Sequence, residues 1–125
     1  MGCERYLGLP FRLGGTGEDG TIDCIHLVYR CLRELQIPTP QFEERWYTYP
    51  KIEISRTLLQ WGKRVDHPLY DGDVVLMAAD SYAFGVTWEQ GILHISRLSH
   101  RVDWCPIGAQ GSSVTFRPYF RMNES

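Results

Sequence analysis

At 125 residues, 43% apolar and 22% charged, the chain is long enough for one domain, residues 1–125, with a single core. The net charge of −2 carries no basic excess of the kind nucleic acid demands, and no apolar run approaches the ~20 residues of a membrane span. The N-terminus lacks a basic region followed by an apolar one. The expectation is therefore no secretory signal and synthesis in the cytoplasm.

In chain order, Met1 to Leu7 reads as a short helix. The run Gly14-Gly15-Thr16-Gly17-Glu18-Asp19-Gly20 is too glycine-rich to be anything but loop. Cys24 to Gln36 is a helix: Ile25, Val28, Leu32 and Leu35 have helical spacing, Asp23 is a favoured N-cap, and Pro38 and Pro40 stop it. Gln41 to Pro50, with Phe42, Trp46, Tyr47 and Tyr49, has no period and reads as an irregular segment over the core. Ile54, Leu58, Leu59 and Trp61 fit a short amphipathic helix ending at Gly62. Asp71-Gly72 is a turn before a strand from Asp73 to Met77. Further strands are expected at Phe84–Trp88, Gly91–Ser96, Arg101–Ile107 and Ser113–Phe120, with a hairpin turn at Glu89-Gln90-Gly91. Helices lead and strands follow, which predicts an α+β domain with helices packed on a curled antiparallel sheet.

The four cysteines, Cys3, Cys24, Cys31 and Cys105, form no C-x-x-C pair, so neither a zinc nor a redox motif is present. Cys24 and Cys31 share a helix face about 10.5 Å apart along the axis, too far for a disulfide. The expectation is Cys31 in core packing, Cys3 as a free terminal thiol, Cys105 buried in a strand, and a reducing compartment during synthesis.

Cys24 stands where the glycine loop turns into the helix. Unpaired backbone N–H groups and the positive end of the helix dipole can stabilise a thiolate there, which makes a cysteine nucleophilic. The competing expectation is a small core cysteine.

The flanking residues bear on that choice. Tyr6-Leu7-Gly8-Leu9-Pro10-Phe11-Arg12-Leu13-Gly14-Gly15, then Asp23-Cys24, a helix closing at Leu35-Gln36-Ile37-Pro38, and a later Gly72-Asp73-Val74-Val75, run in order from about Tyr6 to Phe120. This arrangement resembles the NlpC/p-sixty cell-wall cysteine peptidases, whose pattern is a G-x-P-Y-x-x-G-G loop, a D-C-S-G-L-V helix start and a G-I-x-x-P helix end. The resemblance implies a papain-like NlpC-type fold with Cys24 as nucleophile, and it implies no cofactor and no metal. It also implies a histidine base opening a strand and an orienting residue ending the next one. Aligned on Ala83-Phe84-Gly85-Val86-Thr87 and Ile92-Leu93-His94-Ile95, the orienting position holds His94 but the base position holds Ala83, which cannot take a proton. A second register, with Glu89 where the histidine belongs and His100 in third place, also lacks the base. His26 lies about 200° around the helix from Cys24 and should point away. For His26, His67 and His100 a structural or surface role is the expectation; for His94 function and structure stand level. Phe11 replaces the family's tyrosine and Ile25 a small polar residue, two more signs of an eroded site.

Two functions follow from the resemblance. The first is amide hydrolysis in a peptidoglycan stem peptide: Cys24 attacks, its own backbone N–H helps hold the oxyanion, Asp23 sets the helix start, and His94 acts as base or orienter. The second is an inactive structural component. Short stand-alone chains of this family occur in phage tail gene clusters, and the partners would then be hub or baseplate proteins at the tail tip; Trp46, Tyr47 and Tyr49 would serve as interface anchors, against the competing expectation that they pack internally.

Overall fold

The computed structural model describes residues 2–40, 51–77, 83–96, 98–111 and 113–119. The aromatic segment 41–50, with Phe42, Trp46, Tyr47 and Tyr49, lies outside them. A 3-10 helix, Cys3–Tyr6, comes first. Two α-helices follow, α1 (Cys24–Glu34) and α2 (Lys51–Trp61). Six strands complete the chain: β1 (Gly62–Val65), β2 (Val74–Met77), β3 (Ala83–Trp88), β4 (Gly91–Ile95), β5 (Val102–Pro106) and β6 (Ser113–Pro118). They form one antiparallel sheet in the order β1-β6-β2-β3-β4-β5. The α+β expectation is met in this general form.

Local chemistry explains most of the boundaries. Asp23 caps α1 by accepting the His26 backbone N–H. At the other end the Ile37 N–H reaches Leu32 O (2.9 Å) and the Gln36 N–H reaches Arg33 O (3.0 Å), the paired bonds of a Schellman stop. That stop places Gln36 at φ 59°, a conformation glycine adopts at lower cost. Between β3 and β4, Glu89 and Gln90 both have positive φ (49° and 64°), as a two-residue type I′ hairpin requires. The helix ends at Glu34, two residues before the predicted limit; β2, β4, β5 and β6 lie within the predicted runs, and β3 starts one residue earlier at Ala83.

The strand β1 was not predicted. Its sequence, Gly-Lys-Arg-Val, has little apolar content, and it is held as a strand by β6, whose residues pair from Pro118 against Gly62 to Thr115 against Val65. The pairing needs glycine at 62, because a Cβ there would come within 2.3 Å of the Arg117 carbonyl oxygen. Tertiary pairing overrides weak local preference here.

The cysteines require a correction. Cys3 and Cys31 form a disulfide that ties the 3-10 helix to α1, so Cys3 is not a free thiol and Cys31 is not a packing thiol. Both sulfurs are buried, and the pairing removes the free-thiol ground on which a reducing compartment was expected. Spacing along the chain could not reveal it, because the partners are 28 residues apart and only folding brings the terminal turn onto α1. Cys105 is half-buried rather than buried.

One core joins the helices to the sheet. Ile25, Leu27, Val28 and Leu32 of α1 and Ile54 and Leu58 of α2 pack on Val74, Leu76, Phe84, Val86, Leu93 and Phe116. The opposite sheet face carries a smaller cluster of Val75, Met77 and Ile92, with Cys105 against it. Leu59, placed on the apolar side of α2 by its spacing, is 45% exposed. Asp73, fully buried before β2, is held by Arg117: Nε donates to Oδ1 (3.1 Å) and Nη2 to Oδ2 (2.9 Å), while the Leu69 and Tyr70 N–H groups also donate to Oδ2. This fixes the turn into β2. No described helix is long and apolar enough to cross a membrane.

Candidate functional site

The site is assembled from the glycine loop upward. Gly15 is buried where a Cβ would meet the Ile22 N and the Thr21 carbonyl carbon at 2.9 Å, so the loop can close only on glycine. Its closure brings Gly14 and Gly15 onto Asp23: the Gly14 N–H donates to Asp23 Oδ2 (3.0 Å) and the Asp23 N–H donates to Gly15 O (3.1 Å). Asp23 Oδ1 accepts the His26 N–H (2.7 Å) and lies 2.9 Å from His26 Nδ1. The Asp23 side chain is fully buried. The glycine loop, the helix start and His26 are thus one hydrogen-bonded unit around a single carboxylate.

Cys24 is the first residue of α1, half-buried, with the Phe84 backbone N–H donating to its thiol. Residue 83, the first of β3, is therefore next in the chain to a group that touches Cys24. The helix N-terminus does not make this thiol acidic. Burial pushes its pKa up to about 11, and the adjacent Asp23 carboxylate adds to the rise. The N–H groups of Phe84, Cys24 and Ile25 pull the other way without prevailing. Desolvation removes the water that a thiolate needs, and a whole negative charge at the cap outweighs the partial positive charge of the dipole.

The histidines are all among the described residues. His94 sits in β4 opposite Gly85 of β3 and Asp103 of β5. Cross-strand partners share a face, and Val75 pairs with Gly85, so His94 lies on the face of Val75 and Ile92. Cys24 packs with the core of the other face, alongside Phe84 and Leu93. His94 makes no hydrogen bond or ion pair with a described residue. His26 is committed to Asp23. His67 is exposed in the loop after β1, and His100 sits in the turn before β5 at φ 55°. The structure thus brings together Cys24, Asp23 and the start of β3, and places His94 on the other side of the sheet.

Sequence reasoning missed the Asp23–His26 pair. Its signal was present: His26 stands three residues after the cap, where a side chain can reach back to it as in a capping box. Among the described residues no group of three or more His, Cys, Asp and Glu side chains could hold a metal. No family model matches this chain, and no curated protein matches it.

Proposed function

We propose that this chain is an NlpC/p-sixty-like domain that has lost peptidase chemistry and serves as a structural component of a phage tail tip or baseplate. The observation that carries the loss is the state of Cys24: a half-buried thiol whose pKa burial pushes up to about 11, with the candidate His94 on the opposite face of the sheet. A cysteine nucleophile needs a base within hydrogen-bond reach to form the thiolate and later protonate the leaving amine. Support for the family comes from the order of motifs and from Cys24 touching the start of β3, where the resemblance puts the base and this chain has Ala83. The Cys3–Cys31 bond suits a particle that works outside a reducing cytosol.

The competing function is cleavage of a peptidoglycan stem peptide by Cys24, favoured by the same contact with β3. Purified peptidoglycan and soluble muropeptides, followed by mass spectrometry for new amines, separate the two. The wild-type chain is expected to release none. Release that disappears in Cys24→Ser would overturn the proposal. The structural half is tested by mass spectrometry of purified particles, in which the chain should be present; a chain found only in the lysate refutes it.

A further inference from the structure

The strand β1 ends the sheet, and its outer edge pairs with no described strand. It carries Lys63 and Arg64, both exposed, and neither forms an ion pair or hydrogen bond through its side chain with a described residue. Beside it runs a groove of about 580 Å³ lined by Lys63, Arg64, the 66–69 loop and Arg117. The Arg117 charge is already met by Asp73, and Leu69, 58% exposed, adds an apolar wall. Lys63 and Arg64 are thus consecutive cations with no side-chain partner among the described residues, on an edge that no described strand covers.

We infer that this edge receives an extended segment of a partner protein that carries two consecutive acidic residues and adds to the sheet as a seventh strand. The alternation of a strand dictates the ligand. Lys63 and Arg64 point to opposite faces, so one small anion cannot satisfy both. A strand laid antiparallel or parallel along β1 presents consecutive residues to opposite faces as well. An adjacent acidic pair would therefore meet Lys63 on one face and Arg64 on the other, while the backbone groups of the β1 edge supply hydrogen bonds. Exposed cations on an edge discourage pairing with neutral or basic strands, including a second copy of β1, and so select for an acidic one. Nucleic acid fits less well: two cations beside Asp66 make no phosphate-tracking stripe.

The test uses fluorescein-labelled peptides and anisotropy at low salt. One peptide is Thr-Val-Glu-Glu-Val-Thr. A second, Thr-Glu-Val-Glu-Val-Thr, has the same composition but puts both acids on one face. A third is the first with alternate backbone nitrogens methylated. The first peptide should bind about threefold or more tighter than the second, from the extra cross-strand charge pair. Methylation should abolish binding, because it removes the strand's donors and leaves its charge. Lys63→Glu/Arg64→Glu, both at exposed positions, should weaken the first peptide by about tenfold and gain affinity for a Thr-Val-Lys-Lys-Val-Thr peptide. Equal binding of the first two peptides, survival of binding in the methylated one, or unchanged affinity in the charge-reversed variant would each overturn the inference. So would tighter binding of a single-stranded oligonucleotide than of the acidic peptide.

Discussion

A thiol with a pKa of about 11 is ionised in about one molecule in a thousand at pH 8, whereas an ordinary cysteine at that pH is about one-quarter thiolate. Because only the thiolate attacks an alkylating agent, iodoacetamide should modify Cys24 about 250-fold more slowly than an unperturbed cysteine, before any steric hindrance is counted. The rate should climb about tenfold per pH unit to near pH 11. Peptide mapping of the oxidised protein reads this cleanly, because Cys3 and Cys31 are locked in their disulfide and leave Cys24 and Cys105 as the free thiols. Cys105, also raised by burial and by Asp103, is the internal comparison and should react first. Stability should follow the same proton. The folded state holds it more tightly than the unfolded chain does, so the contribution is whole below about pH 8.5 and is lost as the pH rises through about 11. Fast modification of Cys24 at pH 6 to 7, ahead of Cys105, would mean a stabilised thiolate and would refute the account of a buried, inactive thiol.

Reduction of Cys3–Cys31 frees a separation of 28 residues and should cost about 3–4 kcal/mol on the chain-entropy model, seen as a lower denaturant midpoint in the Cys3→Ser/Cys31→Ser variant; an unchanged midpoint would argue that the bond is dispensable. Replacing Gln36 by glycine relieves the positive φ at the Schellman stop and should raise stability by about 0.5–1 kcal/mol in thermal melts. Arg117→Met leaves the buried Asp73 carboxylate without its cation and should cost about 3–5 kcal/mol, whereas a change below about 1 kcal/mol would show the pair to be unimportant. The Thr87 hydroxyl is buried without a partner among the described residues, so Thr87→Val should be stabilising, by about 1 kcal/mol; a loss would point to a hydrogen bond the geometry lacks.

Much of the architecture is legible in the chain because it is local. The helix beginning at Cys24 follows from Asp23 and from the spacing of Ile25, Val28 and Leu32. The hairpin at Glu89-Gln90 follows from the apolar runs on either side of a short polar turn. Glycine spacing ahead of Asp23 marked the loop that closes onto it. What needed the folded molecule was every property set by distant residues. The Cys3–Cys31 bond and the strand β1 exist because remote segments meet. The face of the sheet that His94 occupies is fixed by its register with Gly85 and Asp103, and a shift of one residue would have turned it over. The chemistry of Cys24 is the clearest case. Its position at a helix start leaves an acidic thiol and a small core cysteine both open, and burial together with the charge on Asp23 makes it a basic one, because desolvation depends on what the rest of the fold packs around the sulfur.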